Sequence, residues 1–362
     1  MESYINVDKN MIVNETIGDT PVVWHDIKKP PFSIHGLEDA LSSDFYHRMP
    51  FDVASATSEG VEKLAKECVG GRVRFSTNSP YIAIRAKFLV VGRSSHLTLI
   101  SSAGFDVYID GEYGSRFVKE FRMPYDMTDY YEQIVHVSSG DMQSYTINFP
   151  VHSVVQSVEI GLKPGAKIDY AKPYRNIAPV VFYGSSIVHG TGACRPGTVY
   201  SAMVSRALNV DYRNIGFSGQ AQAEDVMAEW LSSLPMSVFV YDYDHNAPNI
   251  EHLKNTHHRF YEIFRKQKPN VPIIMITKPD YYSQHLSYEE NLSRRDVIMS
   301  SYVKAREKGD KNVYFIDGTS FFYGPELHEA SLDGCHPNDV GYVHMSNAIS
   351  TVIRHIFERT KF

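Results

Sequence analysis

The sequence predicts a chain in two parts. Residues 1–175 read as an all-β sandwich, jelly-roll-like, and residues 176–362 as an α/β domain with helices on both faces of a parallel sheet. Three observations predict this. The length of 362 residues gives a prior of two domains. The hydrophobic period changes near residue 178, from strict alternation to continuous apolar runs separated by helical patterns. A Pro- and Gly-containing stretch, Lys163-Pro164-Gly165-Ala166-Lys167 to Lys172-Pro173-Tyr174, separates the two regimes and reads as the linker.

In the first part, residues 73–77, 81–86, 96–100 and 144–149 alternate apolar and polar, so each is expected to be a strand with one buried face. Asp110-Gly111 and Ser139-Gly140-Asp141 supply turns between such runs. Residues 38–42 and 61–68 read as short helical pieces. Many short strands at this spacing indicate a sandwich or jelly roll.

In the second part, the strands expected are 180–183, 212–215, 237–241, 273–277 and 313–316. Helical patterns follow at 200–208, 223–231, 249–266, 291–308 and 339–357. Buried strands alternating with helices build a parallel sheet through right-handed crossovers. The carboxyl ends of its strands then form the ligand-binding edge.

Composition narrows the function classes. A formal charge of -6 without blocks of like charge argues against nucleic acid or an anionic membrane surface as partner. No apolar run approaches the roughly 18 residues of a membrane span. The N-terminus lacks a basic segment followed by an apolar run, so no signal peptide is expected. Cys68, Cys194 and Cys335 are odd in number and far apart, which fits a reduced, cytoplasmic protein. No His-Glu-x-x-His or Cys-x-x-Cys occurs, so neither a metal nor another cofactor is expected.

Four segments carry candidate chemistry, three of them directly after predicted strands. Ser186 follows the first strand across a Gly184 turn, where a helix N-terminus would favour developing negative charge. Taken alone, Ser186 reads as well as a helix N-cap. Gly219 follows the second strand and would expose a backbone N–H; alone it is a turn glycine. Asn246 follows the third strand, where its amide would donate a second hydrogen bond; alone it is a helix cap. Asp333 and His336 lie before the last helix, as a base and the residue that holds its ring, or as an ordinary surface pair.

Gly184-Ser185-Ser186-Ile187, Ser218-Gly219, the Asn246-Ala247-Pro248 segment and Asp333-x-x-His336-Pro337 together resemble, in order, the four motif blocks of the SGNH (GDSL-type) hydrolases. The resemblance covers residues 178–360. It implies a three-layer α/β/α, flavodoxin-like fold and no metal. It also implies a catalytic Ser186, His336 and Asp333, with an oxyanion hole from the Ser186 and Gly219 N–H groups and the Asn246 side chain. Two blocks depart from the family pattern: Gly-Asp-Ser-Leu is Gly184-Ser185-Ser186-Ile187 here, and Gly-x-Asn-Asp is Asp244-His245-Asn246-Ala247. Ser185 must therefore be excluded as nucleophile. In the first part, Gly104-Phe105-Asp106-Val107-Tyr108 resembles the Gly-x-Asp-Leu-Tyr signature of a β-sandwich domain preceding one subgroup of these hydrolases, with Val for Leu.

Loop residues His189, Arg195, Lys278, Phe321 and Tyr323 are expected to shape a substrate pocket, or else to be loop packing and surface ion pairs. The expected activity is hydrolysis of short-chain acyl esters, acetyl first, on small-molecule or oligosaccharide substrates. An acyltransferase with the same triad, a lipase, and an inactive carbohydrate-binding protein are the alternatives; absence of a long apolar lid segment speaks against the lipase. A homo-oligomer is left open.

Overall fold

The computed structural model describes residues 15–111, 114–138, 140–279, 288–322 and 328–360. In chain order the first part contains β1 (Glu15–Ile17), β2 (Thr20–Asp26), β3 (Ser33–His35), α1 (Phe51–Thr57), α2 (Glu59–Leu64), β4 (Arg72–Thr77) and β5 (Tyr81–Val90). It continues through α3 (Leu99–Ala103), β6 (Phe105–Gly111), β7 (Gly114–Phe121), β8 (Tyr130–His136), β9 (Gln143–Asn148), β10 (Val154–Leu162) and β11 (Ile168–Asp169). These strands form two antiparallel sheets, ordered β1-β2-β10-β5-β8 and β11-β4-β9-β6-β7, with β3 beside β4. Alternating side chains such as Ile82 and Ile84 on one sheet and Phe75, Phe105 and Ile147 on the other share one apolar core, which makes the part a sandwich.

The second part contains β12 (Val180–Gly184), α4 (Ser186–His189), α5 (Tyr200–Leu208), β13 (Tyr212–Gly216), α6 (Asp225–Ser233), β14 (Val238–Asp242) and α7 (Ile250–Gln267). It ends with β15 (Ile273–Ile276), α8 (Tyr288–Glu307), β16 (Val313–Ile316) and α9 (Asp339–Arg359). All pairings in its sheet are parallel, in the order β13-β12-β14-β15-β16. That is the flavodoxin-like order, and its switch point lies at β12. Both sheet faces are covered. Val181, Tyr183, Phe239 and Tyr241 pack with residues of α6, α7 and α8. Val180, Phe182, Val238 and Val240 pack with α5 and α9. The central strands β12 and β15 are wholly apolar, and β14 is apolar up to Asp242, because neither face meets water, whereas the edge strand β13 carries Arg213 and Asn214. No helix among the described residues is long and apolar enough to cross a membrane.

Three local expectations are corrected. Residues 96–100 do not form a strand; Leu99–Ala103 is a helical turn, because the Thr98 side chain accepts from the Ser101 N–H at 3.1 Å and caps it. Residues 38–42 are not helical: Glu38 bridges to His47, and Asp39 turns the chain at a φ of 42°. The stretch 163–174 is not all linker, since β11 pairs with β4. Packing also crosses the two parts. Met49, Ala54, Val61 and Ala65, on and around α1 and α2, belong to the core of the parallel-sheet domain.

Candidate active site

β12 delivers the chain to Ser186 through a position that only glycine fits. A Cβ on Gly184 would lie 1.7 Å from the Asp242 carbonyl oxygen on β14. Ser185 then caps α4, its buried hydroxyl accepting from the Ile187 N–H at 3.2 Å. Ser186 is the first residue of α4, and its Oγ lies 2.9 Å from His336 Nε2. The other ring nitrogen, Nδ1, lies 2.8 Å from Asp333 Oδ2. The same carboxyl accepts through Oδ1 from the His336 N–H at 2.8 Å and the Cys335 N–H at 3.0 Å. Partial burial would raise the Asp333 pKa, but the hydrogen bonds from the His336 backbone and ring and from Cys335 outweigh it and hold it at about 2. A carboxylate on Nδ1 assigns the proton to that nitrogen and leaves the Nε2 lone pair facing the serine.

The Asp333 loop is held by its own side chains. Ser331 accepts from the Gly334 N–H at 2.8 Å, and Gly334 turns at a φ of 82°. Asn338 caps α9 by accepting from Val340 and Gly341, while its amide donates to the Glu329 carbonyl at 2.6 Å. The cap closes the helix and fixes the loop ahead of it in one step.

The oxyanion candidates sit at the ends of three adjacent strands. Gly184 is in register with Gly216 on β13 and with Asp242 on β14. Gly219 has a φ of 72°, a left-handed conformation suited to glycine. Among the described residues no acceptor takes the N–H of Ser186 or of Gly219. Asn246 ends a turn, Asp244–Asn246, whose buried Asp244 is held by Arg294 Nε at 2.9 Å and the Lys278 N–H at 3.1 Å. One Asn246 amide hydrogen goes to the Phe217 carbonyl at 2.7 Å, which leaves the second for another acceptor.

The remaining pocket residues are placed differently from expectation. His189 is fully buried and turned toward Glu67, not into the cleft. Arg195 binds across the two parts, to Asp106 Oδ2 at 3.2 Å and to the Tyr108 hydroxyl, over the Phe117 ring. Lys278 is buried beside Asp244, and Phe321 is part of the apolar core under α9. Each is consumed by packing or pairing inside the fold. Tyr323 lies outside the described residues.

Other residues emerge only in three dimensions. Asp242, fully buried at the end of β14, accepts from the Tyr200 hydroxyl at 3.0 Å, and burial pushes its pKa up to about 7 against that bond. Glu67, His152 and Arg48 reach the site's supporting layer from the first part. None stands in a motif, and no local pattern in the sequence marks them.

A hydroxyl held on the lone pair of an imidazole, with a carboxylate behind the ring, can lose its proton as it attacks a carbonyl. Unpaired N–H groups nearby can receive the oxyanion. The fold and the site together define a serine hydrolase of the flavodoxin-like α/β class. Residues 177–354 match the GDSL-like Lipase/Acylhydrolase family, and residues 22–168 match GxDLY, the N-terminus of Esterase_SGNH_hydro-type. The chain therefore belongs to the SGNH (GDSL-type) esterase family, in the subgroup that carries a GxDLY domain.

Solved structures agree. A protein described as a GDSL-like lipase from Bacteroides ovatus ATCC 8483 is 25% identical, with a TM-score of 0.82 over 93% of this chain and 98% of that one. The salicylyl-acyltransferase SsfX3 from a tetracycline biosynthetic pathway is 21% identical, with a TM-score of 0.72 over the same shares. A family two carbohydrate esterase from Cellvibrio japonicus is 12% identical, with a TM-score of 0.58, again over 93% and 98%. The last two share the fold. A search of curated proteins gives no match.

Proposed function

We propose that the protein is a serine esterase that removes short acyl groups, acetyl first, from carbohydrate esters. The observation that carries the reading is the continuous relay from Ser186 Oγ through His336 to Asp333, at 2.9 and 2.8 Å. Ser186 Oγ attacks the ester carbonyl and forms a C–O bond, while its proton passes to His336 Nε2. The oxyanion is received by the N–H groups of Ser186 and Gly219 and the free Asn246 amide hydrogen. Collapse breaks the ester C–O bond, and His336 gives its proton to the departing alcohol. Water, deprotonated by the same nitrogen, then releases the acid and restores Ser186. Asp333, ionised above about pH 2, keeps Nδ1 protonated throughout.

A sugar as the alcohol rests on one support, a shared architecture. The two-part architecture is shared with family two carbohydrate esterases, one of them solved with cellohexaose, though that likeness is one of fold. A cavity of about 350 Å³ beside the His336 loop is lined from both parts, by His96–Thr98 and by Gly192–Cys194 with Leu332 and Asn338–Val340. Three free thiols suit a reducing compartment, so the substrate proposed is an imported oligosaccharide in the cytoplasm. Acetate release across a panel of acetylated saccharides tests this. On aryl esters, activity should fall steeply from acetyl to butyryl, since each misfitting methylene costs about 1–3 kcal/mol of selectivity. Equal turnover of octanoyl esters would favour a lipase. The fold shared with an acyltransferase favours a second reading, acyl transfer to an alcohol; partitioning of the acyl-enzyme between water and added alcohols separates the two.

A further inference from the structure

The helix that carries Ser186 also carries, at its other end, half of a second carboxylate–histidine pair. α4 is one turn long, with Ser186 first and His189 last. His189 Nδ1 accepts from the backbone N–H of Ser218 at 3.3 Å. Its Nε2 lies 2.8 Å from Glu67 Oε2 and 3.3 Å from the Val151 carbonyl oxygen. A donor at Nδ1 and acceptors alone at Nε2 assign the neutral Nε2–H tautomer. Burial pushes the ring's pKa down to about 4 against the pull of Glu67, so the ring is uncharged at neutral pH. Burial alone would raise the Glu67 carboxyl, but hydrogen bonds from His152 and His189 hold it well below the usual carboxylate range.

The pair spans the two parts. Glu67 lies just beyond α2, and Ser218 lies beside Gly219 in the loop after β13. Arg48 braces the same strand end. Fully buried, it donates to the carbonyls of Asn214 at 3.1 Å, Gly216 at 2.8 Å and Glu67 at 2.8 Å, and lies 4.9 Å over the Phe217 ring. The Phe217 carbonyl in turn holds Asn246. The turn 217–219 is thus tied to the nucleophile helix through His189, to Asn246 through Phe217, and to the first part through Glu67.

A metal site is the competing use of Glu67, His152 and His189, whose ligand atoms lie within 4.8 Å of one another. It requires a lone pair on His189 Nε2. That nitrogen carries the proton as long as Nδ1 accepts from Ser218, so coordination would cost the Ser218 hydrogen bond.

We propose that Glu67 and His189 are a positioning pair for the oxyanion hole. The carboxylate of the first part orients His189, and His189 holds the Ser218 N–H so that the Gly219 N–H stays in register with Ser186. The proposal rests on the esterase reading of Ser186. Its physical ground is that a donor stabilises an oxyanion only when held in place before the charge develops.

The test uses the full chain and 4-nitrophenyl acetate, with rates referred to folded protein. His189→Gln keeps a donor toward Glu67 but presents no acceptor at Nδ1, whereas His189→Asn places an amide oxygen there. His189→Gln should lower kcat about 10–100-fold with KM within about twofold. His189→Asn should recover most of that loss. Glu67→Gln, whose amide oxygen still accepts from Nε2–H, should be mild, and Glu67→Ala should resemble His189→Gln. Affinity for a trifluoromethyl ketone, which forms a tetrahedral adduct on serine, should weaken in parallel with kcat/KM. The two near-isosteric variants, His189→Asn and Glu67→Gln, keep the comparison if another fails to fold. Full kcat in His189→Gln, or a loss confined to KM, would overturn the pair. So would stoichiometric zinc in the wild type that chelation removes together with activity. Ser186→Ala separates the two levels. Activity surviving in it defeats the esterase reading itself, while an inactive Ser186→Ala beside a fully active His189→Gln defeats the positioning pair alone.

Discussion

Asp106 Oδ2 accepts a hydrogen bond from the backbone N–H of Gly197 at 2.8 Å, joining the sandwich to the loop that follows α4. The same carboxylate oxygen accepts from Arg195, and Oδ1 accepts from the Asn148 amide at 2.8 Å. Tyr108 closes the group: its hydroxyl binds Arg195, and a Cβ on Gly197 would meet its ring at 2.5 Å. Asp and Tyr of the Gly104–Tyr108 signature are thus spent on docking one part against the other.

Removing the Asp106 carboxylate leaves a buried Gly197 N–H without its acceptor and takes from the Arg195 guanidinium its charged partner, with the Tyr108 hydroxyl remaining. Asp106→Ala should cost about 1–3 kcal/mol of stability, read as a lower urea midpoint. Asp106→Asn should cost less. Folded protein should keep its kcat on aryl acetates to within a few-fold, since Asp106 does not reach Ser186. A kcat loss without a stability loss would place Asp106 in the chemistry instead.

The adjacent serines should separate cleanly. Ser185→Ala removes a helix cap and should cost about 1 kcal/mol of stability with little change in kcat. Ser186→Ala should lower turnover by several orders of magnitude while substrate still binds. Stopped assays with both purified variants decide it, and reversed effects would shift the nucleophile by one residue.

Asp333→Asn should be damaging out of proportion to its size. An amide can turn its NH₂ toward Nδ1, which then becomes an acceptor and places the proton on Nε2, facing Ser186. A loss of about 10³–10⁴-fold in kcat at neutral pH is expected. Retention of more than a tenth of wild-type kcat would show that the carboxylate does not set the tautomer.

Asp242 should give the fold a pH-dependent weakness. Its pKa in the folded protein is raised to about 7, so between the ordinary carboxylate range and about pH 7 the unfolded chain ionises there while the folded one stays protonated. The unfolded state then binds fewer protons, and stability contributed by this group falls as pH rises through that window. Asp242→Asn removes the ionisation. Its melting temperature relative to the wild type should climb from pH 4 to pH 7 and level off above; a pH-independent difference would show that the group titrates normally.

Local signals were legible where the chain's own periodicity and caps decide the outcome. The helix expected at 200–208 is α5 at the same limits, and the expected start at residue 339 is the start of α9. The period change near 178 reported a sheet buried on both faces, because such strands admit no polar side. Residues 96–100 misled because a five-residue alternation is also one apolar turn of helix, and the Thr98 cap chooses between them.

The order of the four motif blocks is a property of the sequence, and so is the distinction of Ser186 from its neighbour by alignment with that order. Their meeting is not. Ser186 and His336 are 150 positions apart, and their 2.9 Å contact exists because parallel crossovers bring every strand's carboxyl end to one edge. The fates of His189, Arg195, Lys278 and Phe321 were likewise decided in three dimensions. Their residue types suit a pocket, but burial against Glu67, Asp106, Asp244 and the α9 core claims them first. Periodicity, caps and turns settle most elements of the second part and their order, since these are short-range signals, and the motif order shows which residue types stand after its strands. The tertiary structure alone decided which polar side chains face the cleft and which are locked behind it, because that choice depends on desolvation and on partners contributed by distant segments such as 48–67.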